Sequence, residues 1–258
     1  MKDRAERIMD ILARRGYQSV SELAAELQVS DMTVRRYLDQ LEKRELIKRT
    51  HGGAFAGQEM IEVDYRIRET VHREVKEGIG AKAFSLIQPG ESVFIDAGTT
   101  TALLAYAITD TKRITVVTHS LVVARALENR TNVQCLLLGG TVHGATHSVL
   151  GPLAEEAISQ FRFNRAFLGT SAIDLNEGLS QSTFEEIPVK RKAASQAQQV
   201  VVLADSSKFD KHVTFLFMKL EEVNTIITDP GLSDTLAQGI RERGIELTIA
   251  APTEGRGT

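Results

Sequence analysis

From about residue 76 onward the chain repeats one pattern, and that pattern limits its fold more than any other feature. Short apolar runs occur at Ser92–Asp96, Ile114–Thr118, Gln134–Leu138, Arg165–Gly169, Gln199–Ala204, Thr225–Thr228 and Glu246–Ala250. Helical periodicity fills most of the gaps, at Val75–Ile87, Thr101–Ile108, Ser120–Glu128, Gly151–Gln160, Glu186–Gln198 and Leu232–Arg243. Strands alternating with helices predict an α/β domain built on a mostly parallel sheet covered by helices. Ligands of such sheets usually sit beyond the carboxyl ends of the strands.

The first sixty residues lack this pattern, and at 258 residues the chain is long enough for a second domain. With 42% hydrophobic and 25% charged residues, global disorder is excluded. The net charge of -3 rules out a chain that is basic throughout, but the charge is unevenly divided. Residues 1–54 carry eleven Lys/Arg against nine Asp/Glu, so the acidic excess lies in the remainder. Arg35, Arg36, Lys43, Arg44, Lys48 and Arg49 fall within one short stretch, the local density that phosphate contacts need. The single cysteine, Cys135, sits in an apolar run and reads as a core residue; no Cys/His zinc spacing exists. No apolar stretch approaches the about 18 residues of a membrane span. The charged N-terminus lacks the apolar core of a signal peptide. A cytoplasmic protein without membrane attachment is expected.

Ile8, Ile11 and Leu12 recur at helical spacing, and Gly16 after Arg14 and Arg15 stops that helix. A second helix starts near Val20, with Ser21 as its N-cap and Leu23, Ala24 and Leu27 as its apolar side. Gln28-Val29-Ser30 connects it to a third. Ser30 caps that helix by accepting from a backbone N–H near Thr33, and Asp31 suits the positive end of its dipole. Val34, Leu38 and Leu41 form one buried face, which leaves Met32, Thr33, Arg35, Arg36 and Asp39 mostly off it. Arginines there can donate to guanine or phosphate, and Thr33 offers a hydroxyl or a methyl. Helix, tight turn and helix fit the geometry that enters a major groove. Leu46–Lys48 reads as a strand, Thr50-His51-Gly52-Gly53 as a turn and Ala54–Phe55 as a returning strand. That hairpin would be a wing carrying Lys48, Arg49 and His51. On periodicity alone, a small amphipathic bundle with solvated arginines fits the same residues.

Polar or glycine-rich turns follow several of the predicted strands. Asp96-Ala97-Gly98-Thr99-Thr100-Thr101 would point backbone N–H groups and hydroxyls at an anion near a helix start, although it is not a Walker A loop. Thr118-His119-Ser120, Gly139-Gly140, Gly169–Asp174 and Asp205-Ser206-Ser207-Lys208 accumulate on the same kind of edge. Singly each fits a turn or cap; together they describe a polar crevice. In it Lys208 is a cation for phosphate, and Asp96, Asp174 and Asp205 are acceptors for sugar hydroxyls.

The N-terminal run resembles the signature of the DeoR family of bacterial repressors. The likeness rests on Glu22-Leu23-Ala24, Val29-Ser30, Thr33-Val34-Arg35-Arg36, Leu38, Leu41-Glu42 and Lys48-Arg49-Thr50-His51-Gly52-Gly53-Ala54. It extends through Asp96–Thr100, Gly139-Gly140, Gly169–Asp174, the Glu186 to Lys190-Arg191 element and Ala204–Phe209, in the family's order. Tyr37 and Thr183 stand where many members carry aspartate. The resemblance implies a winged helix-turn-helix followed by a sensor domain related to ribose-5-phosphate isomerase-like folds. It implies a repressor of a sugar or carbohydrate operon that binds double-stranded operator DNA as a homodimer or homotetramer, and a phosphorylated sugar or related metabolite as effector, with no cofactor. DNA contacts then fall to Ser30, Met32, Thr33, Arg35, Arg36, Lys48, Arg49 and His51. Thr99, Thr100 and Lys208 would hold phosphate, while Asp96, Gly98, Gly140, Asp174, Glu186, Lys190 and Asp205 line the rest. The domains are expected at 1–57 and 76–258, with a partly helical linker at 58–75.

His143 and His147 lie four residues apart after Gly140, but a metal site needs a third ligand, so both are expected to decorate a mobile loop and no metal site is assigned. The rival reading is an isomerase-like enzyme in which Asp96, Glu186 and Lys190 move protons at a sugar carbon. The helix-turn-helix argues against it, because a metabolic enzyme has no need of one.

Overall fold

A computed structural model of the chain describes residues 4–15, 18–43, 46–50, 52–56 and 65–253. They fall into two compact units, one ending at Val71 and the other starting at His72.

The first unit contains α1 (Arg4–Arg15), β1 (Gln18–Ser19), α2 (Val20–Leu27), α3 (Asp31–Lys43), β2 (Ile47–Thr50), β3 (Gly53–Ala56) and α4 (Tyr65–Thr70). Its core is Ile8, Leu12, Val20, Leu23, Leu27, Val34, Leu38, Leu41, Ile47 and Ala54, so the three apolar faces expected from periodicity meet. The cap of α2 is Ser19 rather than Ser21. Ser19 Oγ accepts from the Glu22 N–H at 3.1 Å, and the Glu22 carboxylate accepts from the Ser19 N–H at 2.7 Å. Glu22 therefore occupies the third helical position of a reciprocal capping box. The expected cap lay two residues late because β1, a strand of two residues, delivers the chain directly into the helix. β2 and β3 pair as the expected hairpin, and β1 adds to β3 as a third antiparallel strand. The stretch expected as linker, 58–75, holds α4 and the opening of the next helix.

The second unit continues with α5 (Arg73–Leu86), β4 (Ser92–Ile95), α6 (Thr99–Ala107), β5 (Ile114–Thr118), α7 (Leu121–Leu127), β6 (Val133–Leu137), β7 (Thr141–His143) and β8 (Ser148–Leu150). Then come α8 (Pro152–Ile158), β9 (Phe163–Leu168), β10 (Ala172–Asp174), β11 (Gly178–Gln181), α9 (Ile187–Ser195), β12 (Ala197–Leu203), β13 (Phe215–Met218), β14 (Thr225–Thr228), α10 (Asp234–Glu242) and β15 (Glu246–Ile249). Seven strands form one sheet in the order β15-β14-β12-β9-β4-β5-β6, and every neighbouring pair is parallel. Each apolar run of the sequence is one of these strands, which is the expected α/β architecture.

Alternate residues of a strand face opposite sides. Phe94, Val117, Ala166, Leu168, Val200, Val202 and Ile226 join the core that α8, α9 and α10 complete through Ala154, Ile158, Val189, Ala193, Ala237 and Ile240. Val93, Ile95, Val116, Phe167, Val201 and Ile227 are buried on the other side. There α5 packs on β12, β14 and α6. The approach of α5 to α6 is backbone to backbone: a Cβ on Gly80 would lie 2.6 Å from the Leu103 carbonyl carbon. Gly78 meets the carbonyl of Ala251 in the C-terminal segment, which also bonds to α5 through Thr253 Oγ1 and Glu77 at 3.0 Å.

Two additions at the carboxyl edge were not visible in the sequence pattern. β7 and β8 form an antiparallel hairpin after β6, and β10, β11 and β13 form a small antiparallel sheet after β9. The residues expected as a mobile loop around His143 and His147 are this first hairpin. His143 Nδ1 lies 2.9 Å from Thr146 Oγ1, and Ser148 bridges back to Ser120.

Candidate DNA interface and sensor site

In the first unit, Gln28 ends α2 in the left-handed region at φ 54°, and Ser30 then caps α3 by accepting from the Thr33 N–H at 3.3 Å. The cap serine's Oγ also lies 2.9 Å from Thr33 Oγ1, so the two hydroxyls share a bond. With Val34, Leu38 and Leu41 turned inward, α3 presents Met32 (80% exposed), Arg35 and Arg36 to solvent, with Thr33 half-buried beside them. A methionine that exposed has an apolar side chain available for contact with thymine methyls. Tyr37 packs against the core, and the Arg36 guanidinium lies over its ring at 5.5 Å from the centroid. Arg49, expected on phosphate, is instead ion-paired with Asp39 of α3, which ties the wing to that helix. His51, and the side chain of Lys48, lie outside the described residues.

In the second unit, the parallel order β12-β9-β4-β5 sets Asp205–Lys208, Gly169–Ser171, Asp96–Thr100 and Thr118–Ser120 along one edge. With strands spaced about 4.8 Å apart, the Lys208 turn lies on the order of 10 Å from the Asp96 turn. At the centre is Asp96, 0% exposed. Its Oδ2 accepts from the Gly169 N–H at 2.9 Å and from the Lys190 ammonium, and its Oδ1 lies 2.9 Å from His119 Nε2. Lys190 also donates to the Gly169 carbonyl at 3.0 Å and faces the Phe217 ring at 5.6 Å. Burial alone pushes a carboxyl up, but the charge of Lys190 and the His119 contact outweigh it and hold Asp96 below its usual range.

This changes the role expected for several residues. Asp96 and Lys190 satisfy each other inside the protein instead of lining a crevice. Glu186 is 2% exposed and accepts from Gln181 Nε2, whose Oε1 in turn accepts from Ser171 Oγ at 3.3 Å. Asp174 is not brought to this cluster. Its Oδ1 accepts from the Glu177 N–H at 2.9 Å and the Asn176 N–H at 2.8 Å, closing the β10–β11 turn; these bonds hold its carboxyl below the usual range. Gly140 serves the β7–β8 hairpin: its φ is 147°, and a Cβ there would lie 2.6 Å from the Leu150 carbonyl oxygen. Asp205 caps the short turn Ser206–Lys208 by accepting from the Ser207 N–H at 3.1 Å. That turn is held by a residue the sequence reading missed. Buried Asp229 accepts from Ser206 N–H at 2.6 Å, Ser206 Oγ at 2.9 Å and Gly231 N–H at 2.9 Å. The Asp-Pro-Gly turn directly after β14 was the available signal.

The helix start after Asp96 is as expected. Gly98 caps α6, and its carbonyl accepts from Ala102 N–H and Thr101 Oγ1, both at 3.0 Å. Thr99 and Thr100 occupy the first turn and are buried. The unexpected neighbour is Lys76 of α5, 4% exposed, whose Nζ donates to Thr99 Oγ1 at 3.1 Å. Thr183 buries a hydroxyl that has no hydrogen-bond partner among the described residues. A polar cavity of about 420 Å³ beside Arg113, Thr115, Asn132 and Gln134 lies at the amino ends of β5 and β6 and holds none of the expected site residues. Among the described residues, no group of His, Cys, Asp and Glu could hold a metal ion, and no helix is long and apolar enough to cross a membrane.

Residues 4–59 match the model of the DeoR-like helix-turn-helix domain, and residues 71–230 match that of the DeoR C-terminal sensor domain. The chain belongs to the DeoR family of transcriptional regulators. This DeoR-family regulator is 36% identical over 236 residues to the lactose phosphotransferase system repressor of Lactococcus lactis subsp. lactis, covering 90% of this chain and 92% of that one. It is 29% identical over 242 residues to the glycerol-3-phosphate regulon repressor of Escherichia coli strain K12, covering 94% and 96%. Among solved structures, it is similar to ribose 5-phosphate isomerase A from Neisseria gonorrhoeae, with a TM-score of 0.41, 18% identity, and coverage of 54% of this chain and 55% of that one. Similarity of that size carries no argument about chemistry.

Proposed function

We propose that this DeoR-family regulator represses an operon of sugar or carbohydrate metabolism, and that a phosphorylated sugar or related metabolite sets its affinity for the operator. One observation carries the reading: the same chain holds a helix with exposed Met32, Arg35 and Arg36 and a sheet edge with clustered hydroxyls and an ammonium group at a helix start. The relatives named as repressors of a lactose phosphotransferase system and of a glycerol-3-phosphate regulon support repression as the sense of control. They also support a phosphorylated carbon compound as the effector.

In this reading residues 1–57 bind DNA, 58–75 connect, and 76–258 sense the metabolite. α3 enters the major groove, where Arg35 and Arg36 read bases and Lys48 holds phosphate. Two or more copies of the chain, a homodimer or homotetramer in the cytoplasm, would bind half-sites about 34 Å apart. The site works by binding and needs no catalytic step. Supporting this, Asp96 and Lys190, which an isomerase-like reaction would use on substrate, are committed to each other.

The test is fluorescence anisotropy on DNA from the regulator's own promoter region, with a panel of phosphorylated sugars. Operator affinity is expected to change about 5–150-fold with the effector, the span of a 1–3 kcal/mol coupling. Operator affinity unmoved by every compound, or conversion of a sugar phosphate by the purified protein, would overturn it.

A further inference from the structure

We propose that β6 is the seat of a second copy of this chain, paired to it antiparallel about a two-fold axis that passes beside Cys135. This rests on the reading above only in that the regulator works as more than one copy; it assigns the surface where two copies meet.

From Thr131 to Ala154 there is no Asp, Glu, Lys or Arg, in a chain of which 25% is charged. That run forms β6, the β7–β8 hairpin and the first residues of α8. It leaves Leu137 44%, Val142 60% and Leu153 68% exposed. Depleted charge with exposed apolar side chains is the composition of an interface core, not of a solvated face. β6 is also the last strand of the seven-stranded sheet, and among the described residues it pairs only with β5. Edge strands are normally guarded by a charge, a proline or a bulge. β15, at the opposite edge, opens on exposed Glu246. Val133-Gln134-Cys135-Leu136-Leu137 has no charge and no proline, and its register with β5 is unbroken.

The ladder fixes which main-chain groups are available. The Asn132 carbonyl accepts from Ile114 and the Leu138 N–H donates to Thr118, so the even-numbered residues of β6 face β5. The N–H and C=O groups of Val133, Cys135 and Leu137 therefore point outward, and of these the Val133 N–H already donates to the Arg130 carbonyl at 3.3 Å. Antiparallel pairing centred on Cys135 matches the other donors to acceptors. Each Cys135 N–H donates to the Cys135 carbonyl of the other copy, and each Leu137 N–H to the Val133 carbonyl of the other copy.

A strand of five residues is too short to hold two proteins together by itself. Shape supplies the rest of the contact. Thr115 and Gln134 share the sheet face of Val117 and Leu136, and they line the polar cavity at the amino ends of β5 and β6. Leu150 of the hairpin joins the core on that same face. A two-fold axis normal to the sheet reverses strand direction and keeps the faces alike. The hairpin that follows β6 in one copy then comes over the start of β6 in the other, where the cavity opens.

The experiment uses the full chain, whose single cysteine makes crosslinking unambiguous. Paired Cys135 Cα atoms would lie about 5.5 Å apart, inside the about 4.4–6.8 Å that a disulfide spans. Mild copper–phenanthroline oxidation of dilute protein is expected to give a covalent dimer, reversed by dithiothreitol and absent in Cys135→Ala. In sedimentation velocity, Leu137→Lys should raise the dissociation constant of the assembly by about tenfold or more, because it strands an ammonium group in the contact. Its far-ultraviolet circular dichroism should match the wild type. Val142→Lys should act in the same direction through the hairpin, and decides the matter if Leu137→Lys does not fold. A wild type that sediments as a monomer, an oligomer whose Cys135 does not crosslink, or wild-type sedimentation in both lysine variants overturns the proposal. In the second and third cases the copies meet elsewhere and the regulator reading stands. A crosslinked dimer whose operator affinity ignores every phosphorylated sugar would keep this interface and remove that reading.

Discussion

Lys190→Met probes the ionic cluster at the centre of the sensor unit. Methionine keeps the length of the lysine stem and deletes the ammonium, so volume hardly changes. Asp96, 0% exposed, would then hold a carboxylate answered only by the Gly169 N–H and His119. Removing one partner of a buried pair costs about 3–5 kcal/mol, roughly a fifth or more of the about 5–15 kcal/mol that stabilises a typical domain. At roughly 2–4 °C per kcal/mol for a unit of this size, melting should fall by about 6–20 °C, measured by circular dichroism at pH 7. The loss should also depend on pH. In the wild type the Asp96 carboxyl is held below its unfolded value near 3.9, so its contribution is complete above that pH and is lost as pH falls through the folded value. In the variant the buried carboxyl has lost its cation and its folded value rises. The gap between the two proteins is therefore widest at neutral pH and narrows toward about pH 4. Adding Asp96→Asn to the variant should recover part of the loss, because no charge is then stranded. A loss below about 1 kcal/mol, or one that is equal at pH 4 and pH 7, would refute the ion-pair argument.

Replacing Arg35 and Arg36 together by alanine should abolish specific operator binding in a gel shift, at about 1–3 kcal/mol per base contact, and leave the effector's thermal shift intact; unchanged DNA affinity would remove α3 from the interface. Ser19→Ala should cost about 1 kcal/mol in urea unfolding through loss of the α2 capping box, whereas Ser21→Ala should be close to neutral. Gly80→Ala should cost about 1–3 kcal/mol because its Cβ would press on the Leu103–Leu104 backbone, while Gly139→Ala, with open space around it, should stay within about 0.5 kcal/mol.

The sequence made the sheet legible because its strands are local apolar runs that need no knowledge of their neighbours. The capping of α3 by Ser30 and the inward face of Val34, Leu38 and Leu41 were readable for the same reason. What failed depended on distant partners. Asp96 looked like a ligand group because it ends a strand, but its burial is decided by Lys190, 94 residues away, and by His119. Asp174 ends a strand too, and here a local signal existed: Asp174-Leu175-Asn176-Glu177-Gly178 is the composition of a tight turn, which is where its carboxylate is used. β1 and the β7–β8 hairpin were too short for an alternating pattern to register. Lys76 could have been found, since it is a charged residue on the apolar stripe of its helix.

The two close glycines of α5 have a mechanical consequence. Positions 78 and 80 point about 200° apart around a helix, so α6 and the Ala251 segment grip the rod from nearly opposite sides. Such a rod resists sliding and spinning, and it cannot absorb a push by fraying along its length. A displacement at its middle must appear at its first turn, or take its two neighbours with it. Amide exchange along α5 should accordingly slow or quicken as one block with α6.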